Sequence, residues 1–265
     1  MNRLKIKNQK SKLHLKIKNF TFYFVILIFT FCILNFAYAT PSTTYWTPCV
    51  FDVQPYGVWH ITQDNYFTVD QKGTEKGDLT TDVGLTVGVL PFEKLNLEVG
   101  FDLNEPTDDP LSFNAKFGTP ENALFKDSPA LNLGIFNVGT QEDVTDYNIV
   151  DFIVGKTLSK KLGRLHVGGY VGSNTLKNSG GQVKNEGFML GYDYGFCPVK
   201  DEKGEFNRFV LAADYASGKN AIGGGGVGMY TYFTRNIDLL MGPVWFNDQG
   251  LNGNWKWTVQ LDINF

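Results

Sequence analysis

Eight carboxylates (Asp82, Glu98, Asp102, Asp151, Asp193, Asp214, Asp238 and Asp262) share a setting with three fixed cations (Lys116, Arg208, Lys256) and His166. Each sits on the polar face of a segment in which apolar and polar residues alternate. A water-filled passage walled by such faces would favour cations over anions. The competing reading is that these groups only solvate and pair with one another, because an enclosed charge is tolerable when water or a partner reaches it. His166, within Leu165-His166-Val167-Gly168-Gly169-Tyr170, occupies a position where a general base could act. A base also needs a nucleophile or a paired acid. The chain has no Gly-x-Ser-x-Gly, and neither His60 nor His166 has a Ser or acid at a recognisable spacing. No catalytic residue is expected, and a solvated polar-face histidine is the reading adopted.

Other motifs dissolve on inspection. Gly223 to Gly228 formally contains Gly-x-Gly-x-x-Gly, but it opens no helix and lies in no βαβ unit, so a dinucleotide site is not expected. It reads instead as a strand whose inner side is nearly bare, leaving room for Tyr230, Tyr232, residues from across, or a kink. Gly155-Lys156-Thr157 lacks the glycine a phosphate loop places five residues earlier. The acidic stretches Asp102 to Asp109 and Glu142 to Asp146 match no calcium-loop spacing. No metal and no cofactor is expected.

The elements that must carry these residues are strands. In the last nine residues, Trp257, Val259, Leu261, Ile263 and Phe265 alternate with Thr258, Gln260, Asp262 and Asn264. Successive strand side chains point to opposite faces, so one face here is apolar and the other polar. The same period runs through Leu95 to Asn104, Asp82 to Val89 and Phe188 to Phe196. About twelve such segments are legible. They lie near 50–60, 80–91, 94–104, 110–117, 129–139, 146–157, 162–173, 186–196, 206–217, 221–234, 236–247 and 255–265. An apolar face outward and a polar face inward is the pattern of a transmembrane β-barrel, whose tilted strands need about 9–11 residues to cross. The predicted fold is all-β: one antiparallel up-and-down transmembrane β-barrel of about twelve strands, with ten or fourteen as alternatives.

The predicted connections alternate in length. Those at 70–79, 105–109, 139–146, 173–186, 217–220 and 247–254 are polar and belong outside. Pro91-Phe92-Glu93, Ser159-Lys160-Lys161 and Arg235-Asn236 are tight and belong on the periplasmic side, while 118–128 and 197–205 are longer than that pattern requires. The first strand is ambiguous. Residues 49–69 read as one long strand, a strand broken at Pro55, or a plug over 40–56 followed by a strand.

Ahead of this region lie seven Lys or Arg without an acid in residues 1–19, an apolar run from Phe20 to Phe36, and Ala37-Tyr38-Ala39. That is a signal peptide over 1–39, cut after Ala39, with an uncleaved anchor as the alternative. All 27 acids but 17 of the 24 bases follow residue 39, so the exported part carries a net charge of −10. An acidic chain without basic clusters argues against nucleic acid as a partner. Cys49 and Cys197 would enter an oxidising compartment. A Cys49–Cys197 disulfide would require an N-terminal segment crossing the barrel floor, because their strands would otherwise stand nearly opposite.

The terminal run resembles the C-terminal insertion signal of Gram-negative outer-membrane β-barrel proteins, with Trp257, Val259, Leu261, Ile263 and Phe265 at the matching positions. The resemblance implies a bacterial outer-membrane location, the barrel-assembly machinery as a partner, and surroundings of outer-membrane lipid and lipopolysaccharide. Together with the polar-face charges, it leads to the expectation of a passive pore for small neutral or cationic solutes. A non-conducting structural or adhesive barrel acting through its outer loops is the alternative, and a lipid-active rim enzyme is a third class.

Overall fold

A computed structural model describes residues 43–69, 79–159 and 161–265; the leader over 1–39 and its cleavage site lie outside the described residues. Twelve strands follow one another: β1 (Trp59–Phe67), β2 (Thr81–Gly88), β3 (Asn96–Glu105), β4 (Leu111–Thr119), β5 (Ala130–Gly139), β6 (Asp146–Ser159), β7 (Gly163–Val171), β8 (Glu186–Asp201), β9 (Gly204–Ala216), β10 (Gly224–Thr234), β11 (Ile237–Phe246) and β12 (Trp255–Asn264). A one-turn helix, α1 (Gln249–Asn252), sits between the last two. Every strand is antiparallel to its sequence neighbours, and β1 pairs with β12, closing the cylinder. Closure leaves no unpaired backbone edge, a condition that hydrocarbon surroundings impose on any spanning sheet.

Register sorts the side chains. Ile263 stands beside Ile61 on one flank and Ile237 on the other, while the next residue, Asp262, stands beside Thr62 and Asp238. One set faces out and the other in, as a period of two demands. The outer set is apolar and uncovered: Phe113, Phe117, Leu133, Phe152, Phe188 and Trp245 are all exposed. Removing one such side chain from water contributes about 1.5–3 kcal/mol, so a belt of them is stable only against an apolar medium. Trp257, Val259, Leu261 and Ile263 belong to this outer face of β12, next to the exposed Phe265. Among the described residues no helix is long and apolar enough to cross a membrane.

Two sequence expectations need correction. The strand expected near 50–60 is displaced: the first strand is Trp59–Phe67, and the described chain before it, apart from an isolated bridge at Tyr56, forms no strand. The signal was weak because Gln63 and Asn65 share the outward parity of Ile61, so polar residues interrupt the apolar stripe. The connection expected at 197–205 is mostly strand. Strands β8 and β9 continue to Asp201 and from Gly204, leaving only Glu202 and Lys203 as the turn. The left-handed Cys197 (φ 55°) and Pro198 imitate a strand end without causing one.

Candidate functional site

The interior is built around the segment 43–58, which threads inside the cylinder as far as Gln54, binding inward side chains, and comes to the surface at Tyr56. Tyr45, Trp46 and Thr47 donate successive main-chain N–H groups to Asp214 Oδ2 at 3.0, 2.9 and 2.7 Å, and Thr47 Oγ1 adds a fourth bond at 2.9 Å. A turn that aims three amides at one carboxylate oxygen forms a small anion nest. The Tyr45 ring lies on the bare wall made by Gly226 and Gly228, where an added Cβ would overlap it. The Tyr45 hydroxyl donates to the Pro243 carbonyl at 3.1 Å. The glycine run of β10 is therefore a docking face for Tyr45, not for Tyr230, whose own hydroxyl donates to the Thr44 carbonyl at 3.0 Å. Trp46 meets Tyr66 and Phe246 edge-on at 5.3 and 5.2 Å, and its indole N–H reaches the Ile222 carbonyl at 2.9 Å.

Further along, the segment engages β7 and β8, next to the Asp214 anchor on β9, and then β3 across the barrel. The Phe51 N–H donates to His166 Nδ1 at 3.3 Å, and His166 Nε2 contacts Asp193 Oδ2 at 2.8 Å. An accepting Nδ1 places the ring proton on Nε2, which then donates to Asp193. His166 is fully buried with both nitrogens engaged, so it positions the segment and has no free edge for proton transfer. Asp52 pairs with Arg164 at 2.7 Å, and Arg164 also reaches Asp193 at 2.8 Å. The Gln54 N–H donates to Glu98 Oε2 at 2.6 Å, and Glu98 faces Lys116 at 3.8 Å.

Two cavities approach this segment. One, of about 370 Å³, lies toward the long-loop end and is lined by Trp46, Asp82, Glu98, Asp102, Lys116, Asp151 and Asp262 among others. The second, of about 750 Å³, lies toward the turn end, with Asp52, Arg164, Asp193, Cys197 and Arg235 in its wall. Thr43 borders both.

Of the residues expected on the inner face, Asp82, Glu98, Asp102, Lys116, Asp151 and Asp262 line the first cavity and Asp193 the second. His166, Asp214, Asp238 and Lys256 are packed inside; Lys256 Nζ donates to Thr68 Oγ1 at 2.7 Å. Arg208 is the exception. It is half-exposed near the turn end, where its guanidinium reaches the Phe233 carbonyl at 3.5 Å. Sequence reasoning missed two cations that line the second cavity: Arg164, hidden because it directly follows the turn glycine Gly163, and the buried Arg235, which read only as part of a tight turn. Asp64 and His60 were missed with the displaced first strand; His60 bridges Asp262 at 3.2 Å and Asn264 at 3.1 Å. Cys49 and Cys197 are free thiols, the first buried among the segment's contacts and the second exposed, so no disulfide joins them. The segment does cross the interior, but its own bonds carry Cys49 toward Gly191 on β8 rather than toward Cys197. Among the described residues no group of three or more His, Cys, Asp or Glu side chains could hold a metal ion.

No family model matches the chain, and no curated protein matches it. Solved structures do. The chain is similar to a KdgM porin over 78% of its own length and 99% of that chain, with 8% identity and a TM-score of 0.50. This chain has the outer-membrane β-barrel fold. The barrel also aligns with an outer membrane channel from Pseudomonas putida F1 (13% identity, TM-score 0.45, 81% of this chain and 98% of that one). A Rhodopseudomonas blastica porin triple mutant aligns at 13% identity and TM-score 0.39, over 69% of this chain. This barrel spans 55% of that porin's length.

Proposed function

We propose that this barrel is a passive outer-membrane channel for small solutes, favouring neutral and cationic ones over anions. One observation carries the reading: cavities enter the cylinder from both ends and meet at the 43–58 segment, and their walls hold more acids than bases. Fixed carboxylates in a water-filled passage raise the local concentration of cations and exclude anions. The segment is then the constriction that sets the size limit. Solved structures named as porins and as an outer membrane channel support the reading at the level of fold. Catalysis has no part in it, because the one histidine with a general-base position, His166, spends both nitrogens on holding Phe51 and Asp193.

In the same reading, residues 1–39 are the export signal, cut after Ala39. The outward face of β12 is what the barrel-assembly machinery engages. The short-turn end faces the periplasm and the long loops meet lipopolysaccharide. Single-channel recording of the refolded protein in planar bilayers tests the channel. Steady conductance with a reversal potential of cation-preferring sign in a KCl gradient is the expected result. Anion preference would refute the selectivity. A silent barrel would return the protein to the structural or adhesive alternative.

A further inference from the structure

Asp64 of β1 stands directly opposite Asp82 of β2, and Asp102 of β3 stands opposite Gly84, two residues along β2 from Asp82. Directly opposed side chains have their Cβ atoms about 4.5–5.5 Å apart, and like charges in that relation destabilise a sheet. Local bonds relieve this only in part. Asp64 accepts from Thr62 Oγ1 at 2.7 Å and Asp102 from the Asn114 amide, while Asp82 Oδ1 has no hydrogen-bond partner.

A second observation is independent of that cluster. Asp151, on β6 and only 2% exposed, lines the same cavity with neither carboxylate oxygen in a hydrogen bond of good geometry. Its favourable neighbours are the Gly134 amide and the charge of Lys116, and Lys116 also faces Glu98 at 3.8 Å. An enclosed ionised carboxylate without a full set of partners is costly. A cationic ligand in the cavity would supply what both places lack.

The form of the cavity selects the cation. Among the described residues the acids do not converge as a metal ion requires. Adjacent strands lie about 4.8 Å apart, so Asp151 on β6 stands well round the wall from Asp82 on β2, and one compact charge cannot serve both. Trp46 and Tyr66 present rings to the same space, and aromatic faces attract organic ammonium groups. We propose that the cavity of about 370 Å³ binds small aliphatic diamines, one ammonium at the Asp64–Asp82–Asp102 wall and the other at Asp151. The proposal rests on the channel reading only for the idea that such a cation is cargo; the binding site stands or falls separately.

The test is calorimetric titration of the full-length mature barrel in detergent with a series of straight-chain diamines from 1,4-diaminobutane to 1,8-diaminooctane, which finds the span of the site, beside the matching diols and MgCl2 at matched ionic strength. Saturable binding of the best-fitting diamine, no binding of its diol, weak competition by Mg2+, and about a tenfold loss of affinity in each of Asp82→Asn and Asp151→Asn are expected. Equal binding of the diol, full displacement by Mg2+, or unaltered affinity in both variants would overturn the site. Should neither variant fold, the wild-type contrast between diamine and diol decides. Diamine binding by a barrel silent in bilayers upholds the site while refuting the channel; conductance without diamine binding does the reverse.

Discussion

Thr47 grips one oxygen of Asp214 twice, through its main-chain N–H at 2.7 Å and its Oγ1 at 2.9 Å. With the amides of Tyr45 and Trp46 on the same oxygen, this carboxylate is the principal fastening of the interior segment to the wall. Hydrogen bonds to a charged group contribute about 1.5–3 kcal/mol each. The fastening therefore governs how readily the segment leaves its seat.

Asp214→Asn removes the charge with little change of shape. The segment is expected to open more often, and the buried Cys49 thiol should report it. Its alkylation rate in the folded barrel should rise at least tenfold, the equivalent of about 1.4 kcal/mol of local stability. An unchanged rate with intact strand structure would show that Asp214 does not hold the segment.

Tyr45→Ala tests the constriction directly. The ring is 1% exposed and fills the bare glycine wall of β10. Deleting a large buried aromatic typically costs about 3–5 kcal/mol. The chain neighbours of Tyr45 line the two cavities, Trp46 the first and Thr44 the second, so on the channel reading unitary conductance should increase while the melting temperature falls. A fall in stability with no change in conductance would separate the segment from the conduction path.

Orientation has a simple assay. Cys197 is exposed near the turn end, and Asn174 is exposed in the connection between β7 and β8 at the other end. A membrane-impermeant maleimide added to intact cells should label an Asn174→Cys variant and leave Cys197 untouched. The opposite pattern would invert the proposed sidedness.

Asp248, in the connection before β12, clasps a neighbouring loop. The Ser179 amide donates to its Oδ2 at 2.9 Å and the Gly250 amide to its Oδ1 at 3.0 Å. Hydrogen bonding from Ser179, main chain first, with further help from Gly250 and the charge of Lys219, holds this carboxyl below the usual range. A carboxyl depressed by folding stabilises the clasp at all pH values above its unfolded value of about 3.9, and that contribution disappears as pH falls through the folded value. Proteolysis within 176–185 should therefore be flat from pH 8 to 5 and accelerate only in stronger acid. An Asp248→Ala variant should be cleaved fast throughout.

Much of this architecture was legible because period two is a strong signal where apolar residues meet hydrocarbon. The strands from Thr81 onward lie close to their expected positions, and the inward parity of Asp82, Asp151 and Asp262 followed from the residues on either side of them. Strand β1 was displaced for a physical reason: Gln63 and Asn65 occupy outward positions, and Asn65 there accepts from Thr81 Oγ1 at 3.0 Å. The path of residues 43–58 had no periodicity to betray it, since its contacts are set by shape rather than by alternation. Its clearest trace in the sequence was the complementary blank at Gly226 and Gly228, legible as empty space before its occupant was known; Gly155 under Phe51 and Gly191 under Cys49 are further blanks of the same kind.

The occupant comes from the start of the chain and its wall from the end: Gln260 Nε2 reaches the Tyr45 carbonyl across 215 positions, at 3.2 Å. Contacts so distant in sequence are slow to form. The segment ahead of β1 must wait for β12, so sealing the ring between β1 and β12 and seating the inner thread amount to a single late event. An assembly stalled before that moment would present an unfinished edge and an unfilled interior together.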